Sequence, residues 1–569
     1  MSKINKIKHY IDKYGWSRPF IYIKQKGIGN IVNRVVKGSE EKRHNAWAQK
    51  HQITTEELEE QKKTSFNKNP KISLIVACYN TPIHFLEEMI ESVLNQSYSH
   101  WELCIADGSD HDDVKTYIES HYSNHEQIKY KYLNENKGIS ENMNEAMKLA
   151  TGDYIGFFDH DDTLTLDALY EMVKMINAHD DAYFIYSDED KIDETSHYFF
   201  YPNFKPDFNK GLLLSNNYIC HFLVFKRELL ESVGMLRKEH DGAQDYDFVL
   251  RCMHYLKGKG MYHIPKILYH WRSHAGSTAG NAESKTWAFD AGVKALEDYY
   301  RQEDIDAKVM NGVVPGFYKT KYIVKGKPLI SCILIWHNKY KYDILKILER
   351  QTYQNCEIII VIDQDIQVDH SKVIISHHKN KFMMANEGAR HANGDYLLFL
   401  EDSAEIETND YIEQLLGVAQ SSDVACAGSL ICSKHNAIRH AGVVTGLHHS
   451  VGCVFEDYPK EGLGYNGYIQ IMRDYSAVVM NGMMVKKSIF DEAEGFNEQL
   501  KMTADVDFCL RAHGRCVYVP DAQLKDDQYY DHNISSKEKN HYKGLERDPN
   551  YNPHLSLEKH HDFQLDEHQ

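Results

Sequence analysis

The residues best equipped for chemistry are acidic and follow apolar runs. Tyr154–Phe158 leads directly into Asp159-His160-Asp161-Asp162. An Asp-x-Asp pair suits a hard divalent cation, which takes oxygen ligands and needs only one or two protein carboxylates when phosphate oxygens and water complete its shell. A surface turn that caps the next helix is the competing reading, and Asp162 is suited to that job. Two further acidic clusters follow apolar runs: Asp107-Gly108-Ser109-Asp110 after Leu103–Ala106, and Ser187-Asp188-Glu189-Asp190 after Ala182–Tyr186. Asp107 is placed to accept hydrogen bonds from a base or ribose, although aspartate and glycine also favour a plain turn. Asp245, in Gly242-Ala243-Gln244-Asp245-Tyr246-Asp247, precedes an amphipathic segment. It is either a helix cap or a general base, and a base must lie within hydrogen-bond reach of the hydroxyl it deprotonates. His270 closes Ile267-Leu268-Tyr269 and is followed by Trp271-Arg272-Ser273-His274. Either histidine is a candidate nitrogen ligand, against the default of a structural histidine in a chain that has 33.

The elements that must position these residues alternate between strand and helix. Ile72–Cys78 is continuously apolar, as expected of a strand covered on both faces. Thr81-Pro82 offers an N-cap and a first-turn proline, and Phe85, Leu86, Met89, Ile90, Val93 and Leu94 recur at helical spacing behind it. A strand near Ile128–Leu133 leads through Asn136-Lys137-Gly138 into a helix carrying Met143, Ala146, Met147 and Ala150. A helix over 166–176 and a strand over 182–186 follow. This alternation predicts an α/β fold with a mainly parallel sheet, whose ligands bind beyond the carboxyl ends of the strands. The three acidic clusters are therefore predicted to gather on one rim.

The pattern is then written again. Gln351-Thr352-Tyr353 matches Gln96-Ser97-Tyr98, Gly394-Asp395-Tyr396 matches Gly152-Asp153-Tyr154, and Asp505-Val506-Asp507-Phe508 matches Asp245-Tyr246-Asp247-Phe248. Lys327-Pro328 opens a second apolar run, Leu329–Trp336, with Asn338 in the place of Asn80. The offset stays between 242 and 260 residues, which is the size of a domain. This is a tandem duplication. It divides the chain into an N-terminal arm (1–69), a first domain (70–320), a second domain (327–545) and a tail (546–569).

The net charge of −18 argues against a nucleic-acid binder, which needs a basic footprint. The charge is uneven: residues 1–50 carry 12 Lys/Arg against three acids, a local +9 that leaves −27 for the remainder. Tyr10, Trp16, Phe20, Tyr22 and Ile23 are interleaved with those bases. A basic arm of this kind suits an anionic membrane face, or equally a solvated arm packed on the first domain. The 11 cysteines include no CxxC pair, and several (Cys78, Cys104, Cys332) sit inside apolar runs, as in a reducing compartment. No apolar run approaches the ~20 residues needed to span a bilayer, and no signal-peptide core opens the chain. These features predict a cytoplasmic protein, with the arm a candidate for the inner face of the cell membrane.

Residues 70–280 resemble family 2 glycosyltransferases of the GT-A fold, especially bacterial cell-surface polysaccharide and rhamnosyl-type transferases. The segments that carry the likeness are ISLIVACYNTP (72–82), ESVLNQSY (91–98), CIADGSD (104–110), NKGISENMN (136–144), GDYIGFFDHDD (152–162), YSDEDKI (186–192), SNNYICHF (215–222), AQDYDF (243–248) and YHWRSHAGSTA (269–279). The second copy resembles the partner domain of tandem members, and DPNYNPHLS (548–556) resembles their usual ending. The resemblance implies two Rossmann-like GT-A domains and an inverting, Mn²⁺- or Mg²⁺-dependent transfer from a nucleotide-sugar donor to a lipid-linked or polymeric glycan acceptor. It assigns Asp159 and Asp161 to the metal and diphosphate, with His270 or His274 as third ligand. It places Asn80, Asp107, Asn136 and Gly138 at the nucleotide sugar, and makes Asp245 the base. Where the first copy has Asp159, Asp161 and Asp162, the second has Glu401, Ser403 and Ala404, and Lys525-Asp526-Asp527 stands where the histidines are expected. The second domain is thus expected to be weak or inert in catalysis, although Asp505 persists.

Two other readings stay open. A nucleotidyltransferase usually begins with a glycine-rich, basic loop after the first strand, whereas this strand ends in Tyr79-Asn80-Thr81-Pro82. A non-catalytic scaffold that binds glycans or other transferases fits the second domain better than the first. Gly462-Leu463-Gly464-Tyr465-Asn466-Gly467 matches a dinucleotide fingerprint, but it neither follows a strand nor opens a helix. A calcium hand at Asp159 is ruled out by Leu164 and Tyr170 at its glycine and glutamate positions.

Overall fold

The computed structural model describes residues 41–274, 286–337, 344–363, 373–530, 534–545, 547–558 and 563–566. The aromatic residues of the basic arm, at positions 10 to 23, and Asn338 lie outside the described residues.

The first unit is a nine-stranded sheet: β1 (Ile72–Cys78), β2 (Trp101–Asp107), β3 (Ile128–Tyr132), β4 (Tyr154–Phe157), β5 (Thr163–Leu164), β6 (Phe184–Ile192), β7 (Phe199–Asn203), β8 (Leu223–Lys226) and β9 (Met261–Arg272). Its order is β3-β2-β1-β4-β8-β6-β9-β5, with β7 paired to the edge of β6. The four strands β3-β2-β1-β4 run parallel, β8 is antiparallel between β4 and β6, and β6 and β9 are again parallel. β1 is central, so its run is apolar on both faces. Ile72, Leu74 and Val76 pack into one layer and Ile75 into the other, all fully buried. The helix after β1 spans Ile83–Leu94 and buries Phe85, Leu86, Met89, Ile90 and Val93. Its N-cap is Pro82, with no side-chain cap, so the cap expected of Thr81 is not made. The helix expected over 166–176 spans Ala168–Ala178.

A helix (Thr286–Gln302) and a hairpin, β10 (Ala307–Asn311) with β11 (Tyr318–Tyr322), lead to the second unit. That unit holds β12 (Ile330–Trp336), β13 (Cys356–Ile362), β14 (Val373–Ile375), β15 (Tyr396–Glu401), β16 (Glu405–Ile406), β17 (Val424–Cys432), β18 (Ile438–His440), β19 (Val443–Thr445), β20 (Val451–Cys453), β21 (Arg473–Tyr475), β22 (Met483–Lys486) and β23 (Arg515–Lys525). The main path of its sheet, β14-β13-β12-β15-β22-β17-β23-β16, repeats the first strand for strand. The duplication seen in sequence is therefore a duplication of topology.

One apolar layer runs through both units. Phe204, Tyr218 and Tyr246 of the first share it with Val444, Phe455 and Tyr518 of the second, and with Tyr551 and Phe563 near the C-terminus. Polar contacts cross the same seam: Asn209 Nδ2 donates to the Asp474 carbonyl at 2.8 Å, Gly211 N donates to Asp474 Oδ2 at 3.0 Å, and Lys210 pairs with Asp423 at 2.8 Å. The C-terminal segment ties the seam, with Asn552 Nδ2 donating to Asp188 Oδ2 and to the Lys205 carbonyl, both at 2.8 Å. The rejected fingerprint lies here too, where Phe204 N donates to the Tyr465 hydroxyl at 2.8 Å.

The repeated Gly-Asp-Tyr is a latch at the foot of each sheet. Gly152 N donates to Ser73 Oγ at 2.9 Å, and Ser73 Oγ donates to Glu102 Oε1 at 2.6 Å. Asp153 accepts from Lys71 N at 2.9 Å. In the second unit Gly394, Ser331, Glu357 and Asp395 repeat these contacts at 2.8, 2.6 and 2.9 Å. A Cβ on Gly152 would come within 2.6 Å of both the Lys71 carbonyl and Ser73 Oγ, which excludes any side chain. The fully buried Glu102 also pairs with Lys71 and, at 2.8 Å, with Lys129. Burial raises its pKa, but the two lysines, Ser73 and Thr151 outweigh that and hold it well below the ordinary 4.5.

A group whose pKa is depressed on folding stabilises fully above its unfolded value and loses that contribution as pH falls through the folded one. Glu102→Gln should therefore destabilise the protein near pH 7 and weaken the acid dependence of unfolding below about pH 5, as read by urea denaturation across pH. Gly152→Ala should cost about 1–3 kcal/mol, through overpacking against backbone, in the same measurement.

Candidate active site

β4 releases the chain at Phe158, whose N donates to the Ile75 carbonyl at 3.1 Å. The acidic turn that follows is shaped from β9. The Tyr269 hydroxyl donates to Asp162 Oδ2 at 2.5 Å and accepts from Asp159 N at 3.3 Å. Arg272 N donates to Asp162 Oδ1 at 2.7 Å, and Arg272 Nε to the Asp161 carbonyl at 2.6 Å. Arg272 is itself fully buried, paired with Glu88 at 2.7 Å, its guanidinium 4.6 Å from the Phe85 ring centre.

Within this frame, ligand atoms of Asp159, Asp162 and His221 all lie within 4.8 Å of one another. His221 Nε2 is 3.7 Å from Asp159 Oδ2, and its ring stacks on Tyr269 with centroids 4.6 Å apart. Its Nδ1 is buried without a hydrogen-bond partner. The backbone of His221 is fixed from behind: its N donates to Glu189 Oε2 at 3.2 Å, and its carbonyl accepts from the buried Lys205, which also pairs with Glu189 at 3.3 Å. Asp161 joins the cluster from the side, with Oδ2 2.8 Å from His274 Nε2.

The carboxylates crowd one another. Burial pushes Asp162 well above the ordinary carboxyl range, and the charges of Asp161 and Asp159 push it further. Asp159 keeps 42% of its side chain exposed, yet surrounding atoms still desolvate it and raise its pKa. His221 opposes that rise, while Asp161 and Asp245 add to it. Two oxygen donors and an imidazole drawn together with surplus negative charge fit a hard divalent cation.

His270 is not in this group. Strand alternation sends Tyr269 toward Asp162 and His221, and turns His270 to the other face, 4.8 Å from Phe199. There its Nδ1 meets Asp190 Oδ1 at 2.5 Å, and His44 Nε2 meets Asp190 Oδ2 at 2.9 Å. Burial works against the charged form of Asp190, but the two histidines prevail and keep its pKa low. The third acidic cluster likewise does not end on the rim as expected. β6 runs on to Ile192, so its acids lie within the strand and are spent on structure. Asp188 accepts from Lys205 N at 2.7 Å and contacts His263 at 2.8 Å, and Glu189 accepts from Asn203 at 3.0 Å.

Asp107 is fully buried, accepting from Ser109 N at 2.9 Å and from the Tyr130 hydroxyl at 2.7 Å. Asn80 adopts a left-handed backbone (φ 50°) and reaches across to Asp110, its Nδ2 donating to Oδ2 at 2.9 Å. Asn136 Oδ1 accepts from Gly138 N at 3.0 Å and from Asn142 at 2.9 Å. Gly138 has φ 98°, and a Cβ there would meet Asp241 at 2.7 Å. These residues cluster at the ends of β1 and β2, on the side of β1 away from β4.

Asp245 opens the helix Gln244–Leu256 without capping it by side chain. Its Oδ2 accepts from Asn217 Nδ2 at 2.7 Å and lies 3.9 Å from Cys220 Sγ. Asp247, two residues on, is buried and structural: Arg237 and Arg251 pair with it, and His240 stands 3.7 Å away. His221 and its supports were missed by the sequence reading. The only signal was SNNYICHF itself, and nothing in spacing points an isolated histidine at a cluster 60 residues upstream.

In the second unit, register places Glu401 where Asp159 stands, Asn481 where His221 stands and Lys525 where His270 stands. Asp505 is buried (4% exposed), and its Oδ2 accepts from Met480 N at 2.8 Å.

The family model "Glycosyl transferase family 2" matches residues 73–234. The uncharacterized protein y4gI of Sinorhizobium fredii is 33% identical over 567 residues, covering 91% of this chain and 61% of that protein. The O-antigen biosynthesis protein RfbC of Myxococcus xanthus is 28% identical over 524 residues, covering 86% of this chain and 41% of that protein. The chain thus spans less than two thirds of the length of either relative. Among solved structures, S. aureus TarS 1–349 aligns at 18% identity and a TM-score of 0.30, over 41% of this chain and 72% of that one. The acidic turn after β4 and the loop that carries His221 both fall inside residues 73–234, the segment that matches the family 2 glycosyltransferase model.

Proposed function

We propose that the first unit transfers a sugar from a nucleotide-diphosphate donor to an acceptor hydroxyl, with inversion at the anomeric carbon, on a divalent ion held at the end of β4. The observation that carries this reading is the convergence of Asp159, Asp162 and His221 within 4.8 Å, with Asp161 alongside and the charge of Asp245 felt at Asp159. Asp159 supplies one carboxylate, as the sequence resemblance implies, and Asp162 converges with it, while Asp161, which the resemblance also assigns, lies alongside. His221 takes the nitrogen position, since it converges with Asp159 and Asp162 whereas His270 is turned to Asp190. A bound Mn²⁺ or Mg²⁺ would neutralise the diphosphate as it leaves. Asp245, oriented by Asn217, accepts the proton of the acceptor hydroxyl as that oxygen bonds to the anomeric carbon and the bond to the diphosphate oxygen breaks. Asn80, Asp107, Asn136 and Gly138 form the nucleoside end. Asp107 becomes available to a base only as its bonds to Tyr130 and Ser109 are exchanged.

The acceptor we favour is a lipid-linked or polymeric glycan of a bacterial cell-surface polysaccharide, since one long-range relative is an O-antigen biosynthesis protein. No helix among the described residues is long and apolar enough to cross a membrane. The basic arm would hold the enzyme at the inner membrane face. The second domain, whose Asp505 is buried against backbone, would hold the glycan and leave the chemistry to the first.

Two aspartates of one Asp-x-Asp segment should separate chemistry from folding. Asp245→Asn should lower turnover about 10²–10⁴-fold with unfolding within about 0.5 kcal/mol of the parent. Asp247→Asn should instead cost about 2–4 kcal/mol, by leaving two arginines without their carboxylate. Donor turnover with a panel of nucleotide sugars and denaturant unfolding measure both, and an Asp245→Asn enzyme of near-normal rate would sink the base assignment. For the ion, His221→Ala should weaken Mn²⁺ binding at least tenfold in calorimetry, and His270→Ala by less. The reverse order would return the ligand role to His270.

A further inference from the structure

The second unit keeps acids at its equivalent site but places a lysine beside them where the first has Ile139. Residue 138 caps the helix Ile139–Met147, and residue 380 caps the equivalent helix Lys381–Arg390. Ile139, first in the one helix, is 43% exposed to solvent. Lys381, first in the other, turns inward, and its Nζ lies 2.8 Å from Glu401 Oε1. Glu401 occupies the register position of Asp159, two residues beyond the matched strand pairs Leu74↔Gly156 with Ile75↔Phe157 in the first sheet and Cys332↔Leu398 with Ile333↔Phe399 in the second.

The ammonium serves the rest of the cluster as well. Desolvation pulls its pKa down, but the charges of Glu401, Asp505 and Asp526 outweigh that and raise it above the ordinary lysine value. Its Nζ is 5.5 Å from the ring centre of Tyr530. Around it, Asp526 Oδ2 accepts from Ser403 Oγ and from Asn481 Nδ2, both at 2.9 Å, so the residues replacing Asp161 and His221 have become donors to a carboxylate. A lysine at the first position of a helix opposes the helix dipole, which favours anions there. Its inward turn is explained by the acids it meets.

We propose that the Lys381 ammonium is the built-in cation of the second site, holding the place that a divalent ion takes in the first. The second unit is then a metal-free site closed to a metal diphosphate, and of the two equivalent sites among the described residues the first alone takes a divalent ion. The comparison rests on the reading of the first site as a metal site, but the test does not. In full-length Asp159→Asn/Asp161→Asn protein, Mn²⁺ followed by electron paramagnetic resonance should show no tight site. Adding Lys381→Met should create one Mn²⁺ per chain, lost again with Glu401→Gln, whereas Lys381→Arg should create none. Tight Mn²⁺ binding in the double variant that disappears with Glu401→Gln would overturn the proposal, and so would a folded Lys381→Met protein that gains no ion. Should Lys381→Met lose cooperative thermal unfolding, Lys381→Gln is read by the same criteria. Parent protein with no Mn²⁺ site at all would instead refute the first-site reading and leave the outcome at Lys381 decisive for the second.

Discussion

Carboxylates withdrawn from bulk water beside one another resist ionisation, and the structure is organised around holding several of them at the end of one strand. Burial raises the cost of ionising Asp159 and Asp162, and the charge of Asp161 beside them adds to it. What keeps them in place is a set of donors from β9, chiefly the Tyr269 hydroxyl and the Arg272 backbone and guanidinium. Behind those stand Glu88, Phe85 and the Lys205–Glu189 pair that fixes the His221 loop. A cluster supported in this way is preorganised for positive charge, since no further rearrangement is needed to assemble the ligands.

The duplication shows which parts of this arrangement belong to the fold and which to the chemistry. Both units keep the Ser–Glu–Gly latch that sets the start of the central strand, and both keep the strand order. They part at the strand's far end. One has Asp, Asp and His drawn together; the other has Glu, Ser and Asn, a lysine directed inward and a buried Asp505. The shared apolar layer, with the C-terminal segment bound across it, makes the two units one body. The second unit therefore contributes to the stability of the first.

Much of this was legible in the chain. Continuous apolar runs at 72–78 and 330–336 marked central strands because both faces of such strands are covered. Acids directly after the neighbouring runs at 103–106 and 154–158 pointed to one edge, because parallel strands end on a common edge. The repeated Gly-Asp-Tyr was visible as a repeat, but its meaning was not, since a glycine dictated by close backbone approach looks like any turn glycine. The third acidic cluster misled for a related reason. Asp188, Glu189 and Asp190 look like a strand end by polarity, yet β6 continues through them because buried partners, among them Lys205, His263 and His44, arrive from distant segments.

The sequence by itself determined the α/β class, the tandem repeat and the strand that bears the acidic turn, because periodicity, apolar runs and turn residues are local properties of the chain. Only the tertiary structure decided which histidine faces the carboxylates, because that choice depends on the face of β9 presented to the cleft and on a loop some 60 residues away from the turn. It also decided that Asp245 is half-buried and Asp505 buried, although both sit in similar segments. And the place of Lys381 could be read only once two sheets of the same topology were set in register, because charge neutralisation across a site depends on distance in space.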